Sequence, residues 1–245
     1  SLAPLTGGII NDYFGPRGIF LFLTFLSLLL LTLIMSDLRE THFHKSKDIF
    51  SQIRTYPTLI TSLNFWLPAS TFALSFSIFG IFFIGGPYIA VKVFNLSPTV
   101  MGIYLASPAL GYVLGNILVS RIANLVSTKN LMVFGSLILV LGPCSSLLLS
   151  NFFLHPLSFY LPILIMTFGS GIIWPASNAE IVKAIPHLAG SASGLGSAIM
   201  TLMSSFAAFL TGIYIEELNP LDFVCYFLIL VGVLSFFCSL FTRSK

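Results

Sequence analysis

Four phenylalanines, Phe72, Phe76, Phe79 and Phe83, recur at every third or fourth position of a stretch that carries no charge. At that spacing the rings form one stripe along a helix. A ring face offers apolar area together with a negative quadrupole, so the stripe is either a wall for lipophilic, often cationic, small molecules or a packing face for lipid and neighbouring helices. Trp174, Pro175 and Asn178 form a second group, near the end of another apolar stretch. Pro175 removes a backbone hydrogen bond, which lipid tolerates only where neighbours or cavity water satisfy the freed carbonyl. It reads as a hinge or as a plain bend. Asn178 both donates and accepts, which suits a substrate contact or a bond to another helix.

Other polar residues carry less. Glu180 and Lys183 stand three apart and would pair on one helical turn. An acid inside a membrane is a candidate proton relay, but Glu180 falls at the expected boundary, where a solvated loop acid is the simpler reading. His155 and His187 precede or follow a proline at opposite ends of their spans, where capping is the ordinary role. The 3 cysteines have no CxxC spacing and read as packing residues. Enzyme motifs fail too: in Gly190-Ser191-Ala192-Ser193-Gly194 an alanine stands where a nucleophile motif needs serine, and no HExxH occurs. No metal, cofactor or catalytic residue is expected, and no covalent change to a substrate.

The elements that position these groups are membrane helices. The chain is 56% hydrophobic and 8% charged, with a mean hydropathy of +1.00, whereas soluble domains carry roughly 25% charged residues. Intervals 18–36, 55–91, 93–120, 130–179, 184–215 and 223–242 hold no Lys, Arg, Asp or Glu. At about 20 residues per crossing, with 130–179 long enough for two and a partial helix before Phe14, about eight spans result. The net charge of +3 is scattered over loops, which excludes nucleic acid as a partner.

In chain order, a partial helix to Phe14 and a span at 19–36 flank the turn Gly15-Pro16-Arg17-Gly18, making a hairpin. Residues 37–64 are the long polar segment and read as a linker or surface helix between two bundles. Spans follow at about 65–91, 99–120, 130–150, 158–179, 188–215 and 223–242. Ala189, Ser193, Ser197, Thr201 and Ser205 recur every fourth residue, a small-residue stripe that lets a neighbouring helix come close. Gly111 with Gly115, and Gly190 with Gly194, are GxxxG pairs expected to pack within the bundle. Placing 37–64 in the cytoplasm puts Arg121, Lys129, Lys183, Arg243 and Lys245 on the same side and leaves Arg17 and Lys92 outside. The C-terminus is then cytoplasmic.

Several runs carry a family pattern: Leu2-Ala3-Pro4-Leu5-Thr6-Gly7-Gly8; Gly86-Pro87-Tyr88 followed by Phe94-Asn95-Leu96-Ser97-Pro98, Gly102, Gly111, Gly115 and Arg121; and Pro175, Pro186, His187 and Ala189 to Ser193 with Leu195. In these the chain resembles the major facilitator superfamily, and within it the Bcr/CflA drug-resistance transporters. Asn124, Ser127 and Thr128 depart from the basic and glycine positions usual after that family's eighth helix.

The resemblance implies an all-α integral membrane protein, a helix bundle with about eight spans present of about twelve. Residues 1–36 would be the last two helices of an N-terminal bundle, 37–64 a cytoplasmic linker and 65–245 the C-terminal bundle, with the preceding helices absent. It implies a secondary transporter of the inner membrane, a monomer when full length, that exports small lipophilic compounds or drugs by proton antiport through alternating access. Phe72, Phe76, Phe79, Phe83, Trp174 and Asn178 would line its cavity. Pro4, Gly7, Gly8, Gly111, Gly115, Pro175, Gly190, Ser193 and Gly194 would serve packing or conformational change. A metabolite transporter of the same fold, or an inactive remnant or split-gene half, are the alternatives.

Overall fold

The computed structural model describes residues 3–37 and 56–242. Every regular element among them is helical, and the chain divides into two compact units, Ser1–Ser51 and Gln52–Lys245. Most of the expected linker, 38–55, lies outside the described residues, as do the side chains of Pro4, Gly7, Gly8 and His187.

The first unit is α1 (Ala3–Asp37), two helical arms broken at Gly15, whose φ of 67° and ψ of −176° lie outside the helical region. Only glycine takes that conformation without strain. A Cβ added at Gly18 would come within 3.2 Å of the Ile10 side chain. In a straight helix those positions would stand about 12 Å apart, so the arms face each other next to the break. The second arm, Arg17–Ser36, is long and apolar enough to cross a membrane. The arm before Gly15 is not, so seven such helices are present among the described residues, where about eight were expected.

The second unit begins with the short α2 (Tyr56–Ile60) and α3 (Leu63–Lys92). Asn95, with φ 51°, turns the chain out of α3 in the left-handed conformation that asparagine tolerates. The span expected over 99–120 is present as one crossing-length segment, Val100–Ile122, broken at Ala106 into α4 (Pro98–Leu105) and α5 (Ser107–Ile122). Pro108 is the cause: it has no N–H for the carbonyl of Tyr104, and its ring disfavours a continuous helix there. Next come α6 (Thr128–Phe152), capped by Ser127, and α7 (Pro156–Ala184), capped by the His155 ring, whose Nδ1 accepts from the Leu157 amide at 3.2 Å. A 3₁₀ turn (Pro186–Leu188) leads into α8 (Ala189–Tyr214), and α9 (Pro220–Phe241) is capped by Asn219.

Helices α3, α7, α6 and α9 form a closed ring, each packed on the next. Leu74, Ile78, Ile81 and Phe82 from α3, Leu139 from α6, Ile163 and Met166 from α7, and Val224 and Leu228 from α9 fill its centre. Helix α5 attaches to α7, and α8 attaches chiefly to α3. On α3, Gly85 meets Val224 of α9, Phe82 meets Tyr160 of α7, and Gly80 meets Ser204 of α8. At 100° per residue these contacts leave the Phe72–Phe83 stripe between the α7 and α8 sides, turned away from α9.

Candidate functional site

The stripe on α3 closes around one indole. Trp174 of α7 has its ring centroid 4.7 Å from Phe76, 5.2 Å from Phe79, 6.3 Å from Phe72, and 4.7 Å from Tyr112 of α5. Phe79 is in turn 5.8 Å from Phe83. These separations lie in the range of favourable aromatic pairs, each contributing about 0.5–1.5 kcal/mol beyond the area buried. Three helices are thereby joined at one aromatic cluster. Phe72, Phe76, Phe79, Tyr112 and Trp174 are half-buried, whereas Phe83 is 61% exposed.

Backbone proximity makes the cluster possible. A Cβ on Gly111 would collide with the Leu164 carbonyl and the Thr167 hydroxyl, and one on Gly115 with the Phe168 carbonyl, while standing 3.0 Å from the Gly171 Cα. Helix α5 therefore lies directly on the α7 backbone, and Tyr112, between those glycines in sequence, is delivered to the indole. Pro175 is inside α7, which continues through it.

Asn178, one turn beyond Trp174, is exposed and makes no hydrogen bond to a described residue. Between them is Ser177, fully buried. The Trp174 indole Nε1 and the Ser177 Oγ are the buried side-chain polar atoms left without a hydrogen-bond partner among the described residues. Sequence reasoning missed both Ser177 and Tyr112; a serine set between Trp174 and Asn178 on a proline-containing turn was the available signal.

Two expectations change. No close approach at Gly190 or Gly194 is present among the described residues: a Cβ at either would meet nothing within 4 Å. The buried small residues of α8 are Ala192, Gly196, Ala207 and Thr211, while Ser197, Thr201 and Ser205 of the four-residue stripe are exposed and Ser193 is half-buried. A helix with several small residues per turn has more than one small face, and the spacing alone does not choose between them. Glu180 is not a solvated loop acid either. Helix α7 runs on to Ala184, just short of Pro186, and Glu180 is 7% exposed. Its carboxylate accepts from the Thr128 hydroxyl at the start of α6 and pairs with Lys183 at 3.4 Å.

No group of His, Cys, Asp and Glu suited to a metal ion occurs among the described residues. The charged pair Glu180 and Lys183 stands in the last turns of α7, which ends at Ala184.

Comparison with known proteins gives the same architecture a family. Over 243 residues the chain is 24% identical to an uncharacterized MFS-type transporter of Bacillus subtilis (strain 168), YdgK, covering 96% of this chain and 60% of that protein. The chain therefore spans about 60% of the length of the curated relative it matches. Residues 1–208 match the family model described as Major Facilitator Superfamily, and with the all-helical bundle of membrane-length helices, this chain belongs to the Major Facilitator Superfamily.

Proposed function

We propose that the transporter to which this chain belongs exports small lipophilic compounds, drugs among them, across the inner membrane, by proton antiport through alternating access. The observation that carries this reading is the aromatic cluster: an indole set among Phe72, Phe76, Phe79 and Tyr112 on a face with no charged side chain in it. Such a surface attracts flat apolar molecules by area and dispersion, and cations by the ring quadrupoles. It offers nothing to neutralise a strongly anionic substrate. Phe72, Phe76, Phe79, Phe83, Trp174 and Asn178 form the substrate-facing surface of residues 65–245, the unit we assign as the C-terminal bundle. The basic loop residues support a cytoplasmic C-terminus. The substrate leaves chemically unchanged.

Drug susceptibility of an efflux-deficient bacterial host tests this. Expression of the transporter should raise tolerance to lipophilic dyes and drugs, and Phe76→Ala with Phe79→Ala should cancel the gain at equal membrane insertion. Unchanged tolerance with an inserted protein, together with transport of a polar metabolite, would replace drug export by metabolite transport.

A further inference from the structure

Most buried serines and threonines of this bundle bond the preceding turn of their own helix, and Ser146 and Ser235 bond the carbonyls of Phe159 and Thr71 on neighbouring helices; Ser177 does neither. Thr71 bonds the Leu67 carbonyl, Ser77 that of Ala73, Ser136 that of Met132, Thr211 that of Ala207. Each satisfies its hydroxyl on the preceding turn of its own helix. Ser177 does not, although it is as deeply buried. The Trp174 indole N–H, three residues earlier on α7 and so on the same side of the helix, is the other buried polar atom without a described partner.

Two orphaned groups on one helical turn, one of them on the indole at the centre of the aromatic cluster, are unusual in a membrane interior. Buried donors find partners in the great majority of cases, since an unmade bond forfeits the desolvation of the group. Exceptions ask for a role. The other rings of the cluster are neutral and apolar except Tyr112, so the cluster supplies area without direction. The indole N–H and the serine hydroxyl supply direction.

We propose that Trp174 and Ser177 form a hydrogen-bond donor pair that selects aromatic substrates carrying a neutral acceptor oxygen, a carbonyl above all, over hydrocarbons of the same shape. A flat ligand entering the cluster exchanges ring contacts for ring contacts at little net cost. Its oxygen gains bonds to donors that lack a protein partner. A hydrocarbon cannot, and leaves them unpaired. Asn178, exposed one turn on, adds a further polar contact at the mouth of the face. This inference rests on the aromatic face being the substrate face.

The test is binding of 9-fluorenone and fluorene, which share a tricyclic frame and differ by one carbonyl oxygen. Radiolabelled probe would be bound to the purified chain in detergent, by scintillation proximity with unlabelled competitor to remove micelle partitioning. Fluorenone should bind roughly tenfold more tightly than fluorene, the size of one well-made hydrogen bond. Trp174→Phe, which keeps a ring and removes the N–H, should bring the ratio of the two affinities close to one. Ser177→Ala should lower the same ratio. With Trp66→Phe leaving Trp174 as the one remaining tryptophan of the 2 in the chain, fluorenone should also change the indole emission. Equal binding of the two probes, or a ratio untouched by both substitutions, overturns the donor pair while leaving the aromatic face intact. Specific binding of neither probe overturns the aromatic face and the donor pair together.

Discussion

The hydroxyl of Tyr160 donates to the carbonyl oxygen of Gly86 at 2.7 Å, fastening α7 to α3 one residue before Pro87. The bond is buried, with Phe82, Phe94, Tyr104 and Phe159 around the tyrosine ring. Pro87 removes the N–H that would bond the Phe83 carbonyl, so α3 is locally weakened where Tyr160 holds it. Tyr160→Phe keeps the ring contacts and deletes this bond. It should cost about 1 kcal/mol, read as a lowered midpoint of thermal unfolding in detergent.

Glycines that look alike in sequence should respond differently. Gly115→Val forces a side chain into the Phe168 carbonyl and the Gly171 backbone, which should destabilise by about 1–3 kcal/mol or more. It should also displace Tyr112 from Trp174. Gly194→Ala meets open space, and its effect should stay within about 0.5 kcal/mol except for the gain in helix propensity. Thermal unfolding of the two variants side by side decides this; equal losses would contradict the assignment of α5 to the α7 backbone.

Glu180 joins the end of α7 to the start of α6 through Thr128. A double-mutant cycle on Thr128→Val and Glu180→Gln should return a coupling of about 1–2 kcal/mol, as for a hydrogen bond to a charged acceptor near the membrane boundary. Lys183→Ala should change stability by less than about 1 kcal/mol, because that side chain is 61% exposed and its pair with Glu180 is screened by solvent. Additive losses in the cycle would show that Thr128 and Glu180 are neighbours without a common bond.

Charge-free intervals located the membrane helices well, since a charge at the bilayer centre is costly and the intervals therefore mark spans directly. The break at Ala106 was visible in Pro108 but was absorbed into one apolar interval. The ring stripe on α3 was legible because four phenylalanines at helical spacing leave little choice of face. Its partner Tyr112 was not, because nothing local tells which helix will lie against α7; the glycines at 111 and 115 indicated close approach without naming the neighbour. Glu180 was misread for a related reason. Local sequence shows an acid near a helix end, while its burial depends on Thr128, 52 residues away. On α8 small residues occupy several faces, so the buried one, Ala192 to Thr211, was set by tertiary contacts alone.

Truncating one ring of the aromatic cluster should narrow rather than abolish ligand choice. Phe76→Ala removes the ring 4.7 Å from Trp174, and loss of a buried aromatic costs about 3–5 kcal/mol at most, less where the side chain is half-exposed. The expected result is weaker handling of flat polycyclic dyes with smaller lipophilic compounds less affected, measured as the ratio of their efflux rates.

The central claim, that this aromatic face handles substrate in a proton-driven exporter, is tested most directly by dye uptake into inverted membrane vesicles under an imposed pH gradient, acid inside. The account predicts accumulation of a lipophilic cationic dye that collapses on adding a protonophore and falls at least severalfold with Phe76→Ala and Phe79→Ala, at unchanged protein level. Accumulation no greater than in vesicles lacking the protein, or accumulation indifferent to both substitutions and to the protonophore, would contradict it.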